Sequence, residues 1–230
     1  TDIGMHRLVW DLEYPEPASL TRGYPISAVI GKTPREPEGP TVLPGTYTVV
    51  LTVDGHQEQS TLEVVKDPRL VDASGLSAQW PVLMRLYHWV DDTSKAALLV
   101  KSLDQQLEAI DKSLLPKQKA LHESLEQLDN LIKPFKDESK APTALEPLSA
   151  KASSLYTLIG RGDAKPTEAA MTAVNAATPA IESALMKWRQ VEPDLLRKIL
   201  DLNKQLKRAQ LPMIDVNRAP VKDVNAADED

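Results

Sequence analysis

The stretch WPVLMRLYHWVDDTSKAALLVKSLDQQLEAIDKSL, residues 80–114, decides the fold. Leu83, Tyr87, Val90, Ala97, Val100, Leu107, Ile110 and Leu114 recur in it at spacings of three and four, or their sums, which puts them on one stripe of a single long helix. Pro81 suits the first turn of such a helix, where a backbone amide has no intrahelical acceptor to lose. A helix of this length runs roughly 50 Å, so its apolar stripe needs partners that extend equally far.

The chain downstream supplies them. Leu121, Leu125, Leu128 and Ile132 form a second stripe that Pro134 stops, and Leu145, Leu148, Ala152, Leu155 and Ile159 form a third before Gly160 and Gly162. Residues 136–143 make a polar break between these two. Pro166-Thr167-Glu168 reads as a helix start, followed by a fourth stripe of Val174, Ala177, Ile181, Leu185 and Trp188. Pro179 is expected to kink this helix by deleting a backbone bond. A fifth helix is expected from near Pro193, carrying Leu195, Ile199, Leu202 and Leu206 and ending before Pro212. Residues 80–114, 117–160 and 166–210 then make three antiparallel passes, with tight corners at 115–116 and 160–165.

Upstream, the residue types change to β-branched runs, Gly and many Pro, and the boundary falls within 66–75. Residues 46–53 alternate, with Tyr47, Val49, Leu51 and Val53 on one face, the period of a half-buried strand. Asp54-Gly55 supplies a two-residue hairpin turn, because both positions tolerate positive φ, and the run to Val65 is the return strand. Residues 5–12 are expected as a third strand, with Leu8, Trp10 and Leu12 on one side. Between 14 and 44 stand seven prolines, at 15, 17, 25, 34, 37, 40 and 44. That density removes ladder donors, so most of this stretch is expected as loop, with 26–30 as one short strand inside it. The expected fold is therefore α+β: a partial Ig-like antiparallel β-sandwich of three to four strands over 1–69, a linker at 70–75, a bundle of long antiparallel helices over 76–213, and a disordered or surface-draped tail at 214–230. A sheet this small leaves its apolar face wet unless something covers it.

Composition narrows the function. The 230 residues carry a net charge of −6 with no Lys/Arg-rich block, whereas a phosphate-neutralising surface needs a clustered basic face. Nucleic acid is not an expected partner. Residues 1–69 hold 6 basic against 10 acidic side chains, 70–213 hold 19 against 18, and 214–230 hold 2 against 5, so the negative excess sits at the two ends. No stretch approaches the roughly 20 apolar residues of a bilayer span. With no cysteine, disulfides, thiolate nucleophiles and Cys-ligated zinc are excluded.

The sequence assembles no convincing catalytic, cofactor or metal site. His6, His56, His88 and His122 each lack a second ligand at a metal-site spacing such as HExxH. His88, beside Trp89 and one turn from Asp91 and Asp92, reads as a helix-surface cluster rather than a His–Asp pair serving a nucleophile. Asp11 and Glu13 flank Leu12 and would share a strand face, where a glycosidase carboxylate pair could begin, but two carboxylates on an exposed face are the commoner arrangement. Gly160-Arg161-Gly162 lacks the third glycine and the preceding strand of a phosphate cradle, so it is read as a helix-ending turn. Trp80, Trp89 and Trp188 are expected in the core, and Lys204, Lys207 and Arg208 suit the negative end of the last helix dipole.

GMHRLVWDL at 4–12, LPGTYTVVLTVDG at 43–55 and LEVVKDPR at 62–69 resemble the Ig-like segment that follows the β-propeller in large exported bacterial proteins of the sortilin-like, BNR (Asp-box) repeat type. LYTLIG at 155–160, GDAKPTEAA at 162–170, Trp188 and LNKQLKRAQLP at 202–212 resemble the helical tail that closes those chains. The resemblance implies a periplasmic or secreted protein whose ligand site lies in a propeller preceding this segment, in parents often labelled glycosyl hydrolases. It carries no functional residue onto this chain. It also places further strands before residue 4, so the sheet is expected to be completed by a preceding segment or left open. The expected role is a non-catalytic structural and interaction module, with that propeller, or a protein partner or second copy along the helices, as its partners. The alternative is a carbohydrate- or peptide-binding accessory module using exposed Trp89 or Tyr24 as a stacking platform.

Overall fold

The periodic stripes after residue 74 fold into four α-helices: α1 (Ser74–Ser113), α2 (Lys119–Ile132), α3 (Leu145–Gly160) and α4 (Glu168–Arg208), with a short 3-10 turn at Lys133–Phe135. The structure is a computed structural model that describes residues 4–25, 27–29, 31–69, 74–136 and 140–221. α1 and α4, of 40 and 41 residues, are each about 60 Å long. α2 and α3 together run back along them. Leu86 and Val90 in the first half of α1 pack with Leu155 and Ile159 of α3 and with Val174 and Ile181 in the first half of α4. Leu103 and Ile110 in the second half of α1 pack with Leu125 and Ile132 of α2 and with Leu195 and Leu206 of α4. The first and third passes are therefore parallel, and the broken middle pass is antiparallel to both.

Local chemistry places the ends. Thr167 caps α4, its side chain accepting the Ala170 amide, and Glu168 adds a carboxylate to the positive first turn while Lys207 and Arg208 occupy the negative last turn. Gly75 starts α1 against the corner between α3 and α4, where a β-carbon would come within 3.1 Å of the Lys165 nitrogen.

Two helix readings are corrected. The expected fourth and fifth helices are one continuous α4, with Pro179 and Pro193 inside it. Both prolines face solvent, so the carbonyls they leave without intrahelical donors face water, and the buried stripe passes from Trp188 to Leu195 without changing phase. Packing on both sides of each proline outweighs its local preference to end a helix. Likewise α1 begins at Ser74, so Pro81 lies inside it on the exposed side rather than in its first turn.

The partial Ig-like sandwich is overturned. Among the described residues there is one two-stranded antiparallel sheet, β1 (Gly45–Val53) paired with β2 (His56–Val64), and no third or fourth strand. Val53 pairs with His56 across Asp54-Gly55, whose φ values of 50° and 83° make the primed turn that suits strand twist. Residues 5–11 join no sheet, and Leu12, at φ 67°, turns the chain. The alternation in 5–12 shows which face a strand would bury; it supplies no edge to pair with. Among the described residues upstream, single bridges form, Glu13 with Thr41 and Gly23 with Glu36. Of the short strand expected at 26–30, Ile26 and Ile30 lie outside the described residues, and the remainder is not strand.

Residues 12–23 and 36–44 instead wrap the bundle. The Ala18 amide donates to Asp91 at 2.9 Å, Tyr87 Oη donates to the Pro15 carbonyl at 3.1 Å, and Leu20 packs against the core. The wrap closes on itself where Tyr14 N donates to the Pro40 carbonyl at 3.0 Å and Val42 N to the Leu12 carbonyl at 2.8 Å. At that crossing only glycine fits at position 39, since a β-carbon would stand 1.7 Å from the Tyr14 carbonyl oxygen. Of the tail, residues 214–221 are described and lie on the bundle, with Ile214 buried; Asp223 and the acidic end lie outside the described residues, as do residues 70–73 of the linker.

Candidate functional site

Where the wrap crosses the mouth of the bundle, a cleft of about 420 Å³ opens between the base of the hairpin, the start of α1 and the end of α3. Glu13, Glu38, Gln79, Trp80, Tyr156 and Arg161 line it. Burial, then the negative charges of Glu38, Asp11 and Glu16, push the Glu13 carboxyl up. Burial, then Glu36, Glu16 and Asp11, raise Glu38 in the same way. Burial also holds the Tyr156 phenol well above its ordinary value, with Glu13, Tyr87 and Glu38 adding to it. The neutral forms of these acids are thereby favoured.

The polar groups best placed for chemistry in this cleft hold the backbone together. Tyr156 Oη donates to the Glu38 carbonyl at 2.9 Å. Gln79 Nε2, buried, donates to the carbonyls of Ile159 at 2.5 Å and Gly162 at 2.6 Å. These are the last-turn and following carbonyls of α3, which have no amide partner within the helix. The cleft is a junction, built to clasp the first segment onto the bundle.

The residues singled out in the sequence fare differently. Asp11 and Glu13 do not share a strand face, because Leu12 between them has positive φ; Asp11 Oδ1 accepts the Glu13 amide at 3.1 Å and only Glu13 reaches the cleft. His88 is exposed and packs its ring against Tyr87 at 5.2 Å. The neighbouring carboxylates are taken up, Asp91 by the Ala18 amide and Lys95, Asp92 by Arg189 on α4. Trp89, at 5% exposure, and Trp188, at 4%, are core. Arg85 stacks over the first, and Phe135 meets the second edge-on at 5.2 Å. Trp80 is half-buried against Tyr14. Tyr24 is exposed, with the Arg35 guanidinium over its ring at 5.1 Å. Gly160 ends α3, and Lys204 pairs with Asp201 at 2.7 Å.

Sequence spacing missed a second constellation, at the corner joining α1 to α2. His122 Nδ1 lies 2.9 Å from Asp111 Oδ1, and Lys136 bridges Asp104 and Asp129, the latter at 2.6 Å. Asp104 and Asp111 of α1 meet Lys136 and His122 because α2 folds back on α1, whereas Asp129 stands only seven residues before Lys136. Burial lowers the Lys136 ammonium, but the hydrogen bonds to Asp104 and Asp129 outweigh it and leave the group raised. Among the described residues no group of three or more His, Asp or Glu side chains is placed to hold a metal ion, and no helix is long and apolar enough to cross a membrane.

The largest feature without an internal role is the hairpin. Val49, Leu51 and Val53 on one face of β1 and Val50 on the other are exposed, as are Leu62 of β2 and Val65 just beyond it. Met5, Leu8 and Val9 are almost fully exposed in the segment beside it. Trp10 ties the two together, its ring 5.6 Å from that of Tyr47. Comparison with protein-family models, with curated proteins and with solved structures finds no match for the chain.

Proposed function

We propose that this chain is a non-catalytic structural and interaction module at the C-terminal end of a larger exported β-propeller protein of the sortilin-like, BNR-repeat type, working in the periplasm or outside the cell. The observation that supports this reading is the run of exposed apolar side chains shared by the hairpin and the segment before it, from Met5, Leu8 and Val9 to Val49, Leu51 and Val53. A two-stranded hairpin is marginal alone in water, and exposed apolar surface that is continuous rather than scattered marks an interaction site. The bundle is the rigid base, and the hairpin and the segment before it are what a preceding propeller segment would cover. The parent's own ligand site is assigned to the propeller. A stacking platform for carbohydrate or peptide fits the side chains less well, since Trp89 is buried and Arg35 lies over Tyr24.

Native mass spectrometry of the protein isolated from its producing cells, followed by denaturing analysis, tests the reading. A larger chain should stay associated until denaturation, and V49K/L51K should release it with the helical circular dichroism unchanged. Recovery of a 25.3 kDa monomer, with an unchanged profile for the double variant, overturns it.

A further inference from the structure

Three side-chain amides on the bundle each hold one residue of the segment that follows α4. Asn203 accepts the Ile214 amide at 2.7 Å and donates to the Ile214 carbonyl at 2.8 Å. Gln106 does the same for Asp215, at 2.9 and 3.0 Å, and Gln105 for Val221, at 2.7 and 3.1 Å. Between them the Ser102 hydroxyl donates to the Arg218 carbonyl at 2.6 Å. A carboxamide offers both a donor and an acceptor, so each of these side chains meets a residue as a neighbouring strand would.

Every one of these bonds goes to main-chain atoms and so asks nothing of the side chain it holds. Selectivity rests on two positions: Leu211 packs against the core, and Ile214 is 4% exposed and packs in the core between the second halves of α1 and α4. Met213, Asp215, Val216, Asn217 and Arg218 are exposed. The two prolines of the segment, Pro212 and Pro220, stand where no amide is used, and they favour extended backbone before them. The floor under the segment is Ser102, Gln105, Gln106 and Asn203, whose polar atoms water can satisfy when the segment leaves.

We propose that the groove between α1 and α4 is a binding site for a peptide that turns in its middle, loaded in cis by the chain's own residues 211–221, in which the Arg218 amide donates to the Asp215 carbonyl at 3.3 Å. Its ligand class is a segment with an aliphatic residue at the Leu211 position, a branched aliphatic residue at the Ile214 position, a turn across the positions of Asp215 to Arg218, and no proline at the positions of Ile214, Asp215 and Val221, where the amide must donate. The strap is the resident ligand and opens without unfolding the bundle. This proposal does not depend on what covers the hairpin.

The test uses the full chain carrying Ile214→Glu, which loosens the strap, and a fluorescently labelled peptide LPMIDVNRAPV copied from 211–221. Anisotropy should show the peptide binding I214E at least ten-fold more tightly than it binds the wild-type chain, whose groove is filled. Adding Gln106→Ala to I214E, or replacing the peptide's own Ile by Glu, should abolish the gain. A folded I214E chain that takes up no peptide overturns the proposal. Hydrogen exchange on the wild-type chain decides independently of that variant. The amides of Ile214, Asp215 and Val221 should exchange well ahead of those of α1 and α4; exchange only with global unfolding makes the strap a fixed part of the core and overturns it.

Discussion

Ser94 of α1 and Ser149 of α3 share a hydrogen bond of 2.8 Å between hydroxyls, and both side chains are buried. Around them lie Thr93, Ala96 and Ala97 of α1 and Ala152 of α3, all buried. Small side chains on both surfaces let the two helices approach closely, and the hydroxyl pair satisfies the only polar atoms those two residues bring into the seam. Thr93 adds to the same economy by donating to the Trp89 carbonyl one turn back, at 2.5 Å.

Breaking that pair on one side should cost more than removing it altogether. Ser94→Ala leaves the Ser149 hydroxyl buried without the partner it has here, a loss of about 1–3 kcal/mol, whereas S94A/S149A removes both polar atoms and should recover part of it. Ser149→Leu overfills the seam, with a cost of about 1–3 kcal/mol from displaced neighbours. Urea denaturation of the wild type, S94A, S149A, S94A/S149A and S149L, the first four forming a double-mutant cycle, checks the order.

Gln79 clasps the end of α3 to the start of α1, and its loss should be felt at α3 rather than at α1. Gln79→Ala frees two carbonyls, at a cost of about 1–3 kcal/mol, and amide exchange should rise in the last turn of α3. Gln79→Glu turns an acceptor toward those same carbonyls, so its ionised form is disfavoured and its folded pKa lies above the unfolded value. Stability of that variant should therefore fall as pH rises through the ordinary carboxylate range, and thermal melts at pH 4.5 and 7 should show partial recovery at the lower value.

Much of the bundle is legible in the sequence because a stripe such as Leu121, Leu125, Leu128 and Ile132 reports directly on a buried helix face. The Asp54-Gly55 turn is legible for a similarly local reason, its demand for positive φ at both positions. Residues 5–12 show where local reading stops: Leu8, Trp10 and Leu12 alternate as a strand does, but pairing depends on an edge elsewhere. Pro193 misleads in the opposite sense, since a local breaker is overridden by packing of Trp188 and Leu195 on either side. The clasping residues Gln79, Gln106 and Asn203 give little signal. The one available was position, because Gln79 falls four before Leu83 and Gln106 three after Leu103, polar residues at the spacing of a buried stripe. The His122–Asp111 pair has no sequence signal, since it is made by a corner.

Glu13 and Glu38 should make the junction weaker at neutral pH than in mild acid. Their folded pKa values lie above the ordinary 4.5, so in the window from about 4.5 up to those raised values the folded chain holds more protons than the unfolded one. Stability contributed by the pair is present at the acid end of that window and is lost as pH rises through it. E13Q/E38Q removes the titration. Both groups are half-buried and still reached by solvent, so the effect is small: the double variant should melt at most about 2 °C above wild type at pH 7, with the difference shrinking toward pH 5. A double variant that melts below the wild type at pH 7 contradicts the assignment.

The prolines of α4 offer the clearest separation of local from tertiary control. A proline in a helix interior is about 3 kcal/mol less favourable than alanine, yet Pro179 and Pro193 are both held inside one uninterrupted helix. Their exposure means that substitution changes the backbone and the solvent face without touching the core. Pro179→Ala and Pro193→Ala should each restore a helical hydrogen bond, to the carbonyls of Asn175 and Arg189 respectively. Part of the gain is cancelled because the unfolded chain becomes more flexible, by about 0.4–1 kcal/mol, which leaves a net stabilisation of about 1–2 kcal/mol each. The sites are far apart, so the two gains should add within about 0.5 kcal/mol. Chemical denaturation of the singles and the double measures this. If α4 were instead two helices hinged at Pro193, P193A would force a straight rod onto a bent seam, and that variant alone would lose stability while P179A gained it.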